Sequence, residues 1–323
     1  MKKLFAPVAL MAGLVAMAAA QTQPAGSSSA PAGTSSQPAA GRAGRGAAVA
    51  RTGVLAPDHN PALPTVFLIG DSTVKNSWDR GTDGLWGWGH PLAAFFDTSK
   101  INVDNQALGG TSSHSYQTAN WPGVLALVKK GDFVLMQFGT NDNGAASGRG
   151  NGDEVTAGRG GDVHTFGWYM RKYCEDVKAK GATPIICSLV PRRGWTDGKA
   201  RRDTATHAGW AKEAAAQEKV GFIDLNDLIA TRYEKIGPEA TQNLFGKSMQ
   251  SGAIETVHTN WYGAILNAEC VVEGIRKMPE CELNKYLLEK PAVEKLKKPS
   301  TDPTPDPAPL PDVMPGAASA PGK

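Results

Sequence analysis

The sequence predicts an α/β fold in which a parallel β-sheet is covered by helices on both faces. Short runs rich in apolar and β-branched residues alternate with stretches of helical periodicity along the middle of the chain. The runs are continuously apolar instead of alternating with polar residues, which is typical of strands buried on both faces. Such an order of strands and helices favours parallel pairing.

About five strands and five longer helices make up this pattern. The predicted strands cover residues 65–69, 101–103, 133–138, 184–190 and 221–225. The predicted helices cover residues 88–97, 121–130, 165–180, 203–219 and 261–277. Ligands of such sheets bind beyond the carboxyl ends of the strands, so polar residues that follow the strands are the candidates for a functional site.

Residues 1–20 have the layout of a secretory signal peptide. Lys2 and Lys3 precede an apolar run, and small residues end the segment at Ala20. Cleavage near Ala20 would export the protein, to the periplasm or out of the cell. A membrane anchor is the alternative, but the run is short and rich in alanine for a bilayer span.

Composition divides the remaining chain into three parts. Residues 21–61 are rich in Ala, Gly, Ser, Pro and Gln and are predicted to be a low-complexity linker. Residues 291–323 are predicted to be a disordered Pro-rich tail. The folded domain is therefore expected at residues 62–290, a normal size for one domain.

The charge of the chain argues against a polyanionic partner. Loss of Lys2 and Lys3 with the signal peptide lowers the formal charge of +3 by two, to +1. Nucleic acid or an anionic membrane is therefore not expected as the main partner. No segment after residue 20 is long and apolar enough to predict a membrane span, and the sequence does not indicate an oligomeric state.

Four cysteines fall within the predicted domain: Cys174, Cys187, Cys270 and Cys281. Export permits disulfides, and Cys270 and Cys281 lie close in sequence around a predicted turn, so a bridge between them is one possibility. Buried free thiols are the other. No CxxC pair or Cys/His cluster suggests a zinc site.

Residues capable of acyl-transfer chemistry follow the first three predicted strands and precede the last helix. They are Gly70-Asp71-Ser72, Gly109-Gly110, Asn141-Asp142, and the pair Glu255 and His258. Ser72 would be the nucleophile and His258 the base, while the N–H groups of Ser72 and Gly110 and the Asn141 amide would stabilise the oxyanion. Each motif alone is common in turns, so the prediction depends on their convergence.

These motifs resemble those of the SGNH (GDSL-type) hydrolase superfamily, and more closely its rhamnogalacturonan acetylesterase branch. The similar segments are GDSTV, GWGHPLAAFF, NQALGGTSSHSY, FGTNDN and VHTN, within residues 64–277. The resemblance implies a flavodoxin-like three-layer α/β/α fold and hydrolysis of O-acetyl esters on pectic polysaccharide without a cofactor. By position it implies functional roles for Ser72, Gly110, Asn141 and His258.

One residue departs from the family pattern. The family usually has Asp three residues before the catalytic His, and this chain has Glu255 there. A carboxylate at this position can fold back onto the imidazole Nδ1–H and fix its tautomer. We therefore predict Glu255 as the third catalytic residue, although its longer side chain requires a different local turn.

Other residues could take the same roles. The Gly-x-Ser-x-Gly elbow of α/β-hydrolases does not occur in the chain. His164, with Asp162 two residues before it, is the rival of His258. Ser112 and Ser113 are predicted to cap a helix. Asp71 and Asp142 are predicted to hold their own loops.

The acidic residues around His164 do not predict a metal site. Asp142, Asp153, Glu154, Asp162 and His164 lack the spacing of a calcium-binding loop. The Gly-rich insert between them, which includes Arg149 and Arg159, is expected to border the substrate cleft. Four loop tryptophans are candidates for stacking on sugar rings, with core packing as the alternative for Trp88: Trp78, Trp86, Trp88 and Trp195.

The sequence thus predicts an exported serine carbohydrate esterase that acts on an acetylated polysaccharide or oligosaccharide. Two alternatives stay open. One is an SGNH esterase or lipase for another acyl ester, such as acetylated xylan or a small ester. The other is a non-catalytic carbohydrate-binding protein of the cell envelope.

Overall fold

A parallel sheet of five strands lies at the centre of the protein. The computed structural model describes residues 53–75, 81–158 and 160–306. The strands are β1 (Thr65–Gly70), β2 (Asn102–Asn105), β3 (Phe133–Gln137), β4 (Val155–Gly158), β5 (Gly161–His164), β6 (Thr183–Cys187), β7 (Trp195–Thr196), β8 (Lys199–Ala200), β9 (Gly221–Ile223), β10 (Phe245–Lys247) and β11 (Ile254–Thr259). The central sheet has the order β2-β1-β3-β6-β9, and every neighbouring pair in it is parallel.

The α-helices are α1 (Ser113–Ala119), α2 (Trp121–Leu127), α3 (Phe166–Ala179), α4 (His207–Glu218), α5 (Leu225–Ile236), α6 (Pro238–Thr241) and α7 (Trp261–Arg276). Successive residues of β1 enter different cores, because side chains alternate across a strand. Val66 and Leu68 pack in the core that contains residues of α5 and α7. Phe67 and Ile69 pack in the core that contains residues of α1 to α4. Helices therefore cover both faces, which confirms the predicted three-layer α/β/α fold.

The predicted strands of the central sheet are confirmed to within a few residues, and the longer helices differ in two places. The segment predicted as helix 88–97 forms only a 3₁₀ turn at Leu92–Phe95. Pro91 disfavours α-helical conformation in the residue before it, which prevents a helix from starting earlier. Helix α5 was missed, although Asp224 caps it by accepting a hydrogen bond from the Asp227 N–H.

The described contacts of the domain extend beyond residues 62–290 at both ends. The Gly53 N–H donates to Gln106 Oε1 at 2.8 Å, and Trp86 Nε1 donates to Asp302 Oδ2 at 2.8 Å. Polar segments that cannot form a hydrophobic core of their own can still be held against a domain by such hydrogen bonds. The predicted signal peptide, most of the linker and residues 307–323 lie outside the described residues. No helix in the described part of the chain is both long and apolar enough to span a bilayer.

All four cysteines are free, so the bridge considered between Cys270 and Cys281 is not formed. Cys270 is buried on the inward face of α7, whereas Cys281 is half-buried just before a 3₁₀ turn. Burial raises the pKa of the Cys187 and Cys270 thiols to about 12. These thiols are therefore protonated core residues at neutral pH.

Candidate active site

The carboxyl edge of the central sheet brings the predicted nucleophile and base together. Ser72 follows β1, and His258 lies on β11, which pairs antiparallel with β10. The Ser72 Oγ lies 3.0 Å from His258 Nε2, within hydrogen-bonding distance. Strand order places this contact where β2 and β3 flank β1 on opposite sides, the position at which ligands bind in flavodoxin-like sheets.

The turn that presents Ser72 requires glycine at position 70. A Cβ on Gly70 would lie 2.4 Å from the Gln137 carbonyl oxygen and 2.5 Å from the Val74 side chain. After this close approach the chain turns sharply, and the Asp71 carbonyl accepts from the N–H groups of Val74 and Lys75. Ser72 is 7% exposed at the turn, so its hydroxyl is held in a nearly dry environment.

Asp71 stabilises the turn that presents Ser72, as predicted, and does not orient His258. Its Oδ1 accepts from both the N–H and the Oγ1 of Thr73, at 2.8 and 2.7 Å. Thr73 Oγ1 in turn accepts from Gln137 Nε2, and Gln137 Oε1 accepts from Trp88 Nε1. Burial raises the pKa of Asp71 to about 6. Trp88 is fully buried in this network, so it belongs to the core and not to a sugar-stacking surface.

The two predicted oxyanion loops lie beside each other. Gly110 has φ +82°, a conformation that favours glycine, and nothing lies within 4 Å of the position of a Cβ there. The Asn141 Nδ2 donates to the Thr111 carbonyl at 2.9 Å. An amide has two N–H donors, so this bond fixes the Asn141 side chain and leaves a second donor for a ligand.

Asp142 ties the same two loops together. Its Oδ1 accepts from the N–H and the Oγ of Ser113, at 3.0 and 2.5 Å, and its Oδ2 accepts from the Gly139 N–H at 3.0 Å. Burial raises the pKa of this carboxyl group. Ser112 caps α1 through a capping box with Ser115. These contacts support the roles predicted for Asp142 and Ser112, whereas Ser113 is the first residue of α1 and bonds to Asp142 instead of capping the helix.

Glu255 lies close to His258 but does not form a hydrogen bond with it. The Glu255 Oε2 is 3.6 Å from His258 Nδ1, and that buried nitrogen has no hydrogen-bond partner among the described residues. The side chains are 24% and 28% exposed. Both residues lie on a strand with an irregular register opposite β10. The separation is short enough for electrostatic attraction once the imidazole carries a proton.

The rival histidine lies elsewhere. His164 is on β5, and its ring stacks on Trp168 with centroids 3.8 Å apart. Its described contacts do not include Ser72, and Asp162 is on the exposed β4–β5 ribbon. The structure therefore pairs Ser72 with His258 and not with His164.

We expect Glu255→Gln to lower kcat by roughly 10²-fold, because a neutral amide cannot stabilise the imidazolium that forms during turnover. Asp162→Asn should leave kcat unchanged. Hydrolysis of p-nitrophenyl acetate by the two variants and the wild type gives the comparison. A larger loss in Asp162→Asn would reassign the acid, and with it the base, to the Asp162–His164 pair.

Two arginines beside the site were missed from the sequence. Arg192 and Arg193 follow β6, and their signal was their position directly after a predicted strand. Arg192 Nη2 donates to the Thr140 carbonyl at 3.2 Å. Arg193 donates its N–H to the Thr256 carbonyl at 2.8 Å and its Nε to the Glu255 carbonyl at 3.1 Å. This pair thus links the loop of Asn141 to the strand of His258.

The Gly-rich insert, the loop tryptophans and the acidic residues do not form a second catalytic or metal-binding site in the described residues. Part of the insert forms the β4–β5 ribbon, and the Arg149 guanidinium lies 5.8 Å from the centre of the Trp210 ring. Trp86 is buried and Trp195 half-buried, whereas Trp78 and Arg159 lie outside the described residues. No group of three potential metal ligands occurs within residues 53–75, 81–158 and 160–306.

A comparison with protein-family models matches the part of the chain that contains these residues to one family. Residues 68–260 match the model of the GDSL-like lipase/acylhydrolase family, which is more than half of the chain. The chain belongs to that family. It is therefore a serine ester hydrolase, and the matched range begins within β1 and ends just after β11, so it includes every predicted site residue from Ser72 to His258.

Individual relatives are similar over the same part of the chain. A rhamnogalacturonan acetylesterase from Emericella nidulans is 28% identical over 223 residues, which is 65% of this chain and 84% of that protein. The rhamnogalacturonan acetylesterase RhgT of Bacillus subtilis is 28% identical over 222 residues, 66% of this chain and 90% of that protein. The crystal structure of the Bacillus subtilis protein YxiM has a TM-score of 0.57 at 26% identity, and the match covers 68% of this chain and 57% of that one.

Proposed function

We propose that this serine ester hydrolase is an exported carbohydrate esterase that removes O-acetyl groups from a pectic polysaccharide such as rhamnogalacturonan. The observation that carries the proposed reaction is the 3.0 Å contact between Ser72 Oγ and His258 Nε2. The substrate class is supported by the relatives, two of which are rhamnogalacturonan acetylesterases. Export is supported by the signal-peptide layout of residues 1–20.

The first half-reaction acetylates the enzyme. His258 Nε2 takes the Ser72 Oγ proton as Oγ attacks the acetyl carbonyl carbon. The negative charge on the carbonyl oxygen is stabilised by the N–H groups of Ser72 and Gly110 and by the Asn141 Nδ2. His258 then gives the proton to the departing sugar oxygen, which leaves as a hydroxyl group, and the acetyl group remains on Ser72.

The second half-reaction releases acetate. His258 takes a proton from water as the water oxygen attacks the acetyl carbon, and it returns that proton to Ser72 Oγ when the ester bond breaks. In both halves the imidazole is positively charged while it holds the transferred proton, which is the time at which the tetrahedral intermediate exists. The Glu255 carboxylate, 3.6 Å from Nδ1, then favours the charged ring.

The charges around the site favour a glycan that carries carboxylates. Neither Arg192 nor Arg193 forms a salt bridge with a carboxylate in the described part of the chain. Arg192 uses Nη2 on the Thr140 carbonyl and keeps further N–H donors for a ligand. Uronic acids of a pectic backbone offer the carboxylate groups that a guanidinium binds in bidentate geometry.

Acetate release from a panel of substrates tests the proposed function. The panel contains acetylated rhamnogalacturonan, acetylated homogalacturonan, acetylated xylo-oligosaccharides without uronic acid, and p-nitrophenyl esters of increasing acyl length. We expect the highest kcat/KM for acetyl groups on the pectic substrates. Preference for xylo-oligosaccharides or for long acyl chains would contradict the pectic assignment. Binding to pectin without release of acetate from any substrate would favour a non-catalytic role.

Arg192→Gln should lower kcat/KM for acetylated rhamnogalacturonan roughly 10- to 10²-fold, the range expected for loss of one hydrogen bond between charged groups. Turnover of uncharged acetylated xylo-oligosaccharides should not change. The matched control is Arg201→Gln. Arg201 is an exposed arginine that forms a salt bridge with Asp203. Equal loss on both substrates would show that Arg192 supports the fold of the site instead of recognising charge.

A further inference from the structure

The end of the described chain lies beside the strand that carries His258. Residues 293–306, here named the C-terminal strap, begin with a 3₁₀ turn at Val293–Leu296. Two indole N–H groups of the domain are satisfied by the strap. Trp261 Nε1 donates to the Leu296 carbonyl at 2.8 Å, and Trp86 Nε1 donates to Asp302 Oδ2 at 2.8 Å.

Asp302 is a buried carboxylate with a full set of contacts. It is 5% exposed. While Oδ2 accepts from Trp86, Oδ1 accepts from the N–H and the Oγ1 of Thr304, at 2.9 and 2.6 Å. Thr304 also packs on Gly84, where an added Cβ would lie 2.2 Å from its methyl group. A carboxylate is buried at a cost unless it is hydrogen-bonded, so this arrangement is a built contact of the strap with the domain.

Trp86 connects this contact to the catalytic strand. Its backbone N–H donates to the Thr259 carbonyl at 2.8 Å, and Thr259 Oγ1 donates to the Trp86 carbonyl at 2.8 Å. Thr259 directly follows His258 on β11. The ladder of β11 with β10 is irregular between Phe245 and Lys247. The Trp86–Thr259 bridge therefore fixes the end of β11 at which His258 lies.

The Trp86 ring is held in place by its neighbours and by Asp302 together. The ring makes edge-to-face contacts with Trp261 and His90, at centroid distances of 4.9 and 5.0 Å. These apolar contacts position the body of the ring, and the bond to Asp302 fixes its polar edge. Trp261 is itself bonded to the strap at Leu296, so the strap contacts both tryptophans of this group.

We infer that Asp302 is a positioning residue for catalysis. Through Trp86 and Thr259 it keeps the His258 imidazole within reach of Ser72. The strap thus supports the active site without contacting the reacting atoms. This inference rests on the proposed roles of Ser72 and His258. Displacement of a catalytic group by about 1 Å can cost on the order of 10²-fold in rate, so a contact outside the cleft can control turnover.

Kinetics of two single-bond variants test the inference. Asp302→Ala removes the acceptor, and Trp86→Phe removes the indole N–H while it retains an aromatic ring. Each should lower kcat on p-nitrophenyl acetate roughly 10-fold with KM little changed, because only the alignment of His258 is affected. Asp302→Asn should recover kcat only in part, because its single amide oxygen can accept from Trp86 but its amide nitrogen cannot accept from the Thr304 N–H. A chain that ends at Asp306 is the control and should retain full kcat.

A second measurement separates this inference from the proposed reaction. The rate at which diethyl pyrocarbonate modifies His258, followed by peptide mass spectrometry, reports how firmly the ring is held and needs no turnover. We expect faster modification in Asp302→Ala and in Trp86→Phe, and an intermediate rate in Asp302→Asn. Unchanged kcat and modification rate in Asp302→Ala, even with a lower Tm, would overturn the inference. A wild-type enzyme without esterase activity would instead overturn the proposed reaction.

Discussion

Ser72→Ala and His258→Ala are each expected to reduce kcat for ester hydrolysis on the order of 10⁶-fold, the scale seen when the nucleophile or the base of a serine hydrolase is removed. The two side chains work as one unit, because Ser72 is a weak nucleophile until His258 takes its proton. The double variant should therefore be no less active than either single variant. The measurement is the release of p-nitrophenol from its acetate ester. The Tm of each variant is compared with that of the wild type to show that the variant is folded.

Two matched controls make this result specific. Ser251 is an exposed serine whose Oγ accepts from the Ala253 N–H, so Ser251→Ala should retain wild-type kcat. His164→Ala should also retain kcat, because His164 stacks on Trp168 and has no described contact with Ser72. A Ser72→Ala protein as active as wild type, or a loss in His164→Ala as large as that in His258→Ala, would contradict the assignment.

Asn141→Ala should cost on the order of 10²–10³ in kcat, the usual effect of removing one oxyanion donor. KM should change little, since the donor acts mainly on the charge that develops in the transition state. The Thr111 carbonyl fixes the Asn141 amide before substrate binds, so the amide does not have to reorient when it donates to the oxyanion. The kcat and KM of Asn141→Ala and of the wild type are measured by the release of p-nitrophenol from its acetate ester.

Asn143→Ala is the control for Asn141→Ala. Asn143 is an exposed asparagine two residues further along the same loop, and its Oδ1 accepts from the Ala145 N–H. We expect this variant to retain most of its kcat. Equal losses in both variants would mean that the loop, and not the Asn141 amide, is what matters for turnover.

The central sheet was predictable because its strands are buried on both faces. In β1 all six residues are buried, and no polar residue interrupts the apolar run from Val66 to Ile69. Convergence of Ser72, Gly110 and Asn141 followed from one rule, since the carboxyl ends of parallel strands share one edge of the sheet. These inferences needed only local patterns and one property of the fold.

The rest of the site depends on contacts between residues far apart in sequence. The sequence indicates residues 254–259 only as a segment before a helix, but they form strand β11, which is defined by its pairing with β10 and with Trp86. The 3.6 Å gap between Glu255 and His258 depends on that pairing. Asp302 lies in a Pro-rich segment, and composition alone did not indicate a buried carboxylate there.

The most direct test of Ser72 as the nucleophile is to identify the residue that reacts with an ester-like phosphonate inhibitor. Peptide mass spectrometry of the inactivated enzyme locates the covalent label. We expect a stoichiometric label on Ser72, protection by an acetylated substrate, and almost no labelling of the His258→Ala variant, in which the serine is not activated. A label on another residue, or inactivation of Ser72→Ala at the wild-type rate, would contradict the assignment of Ser72 as the nucleophile.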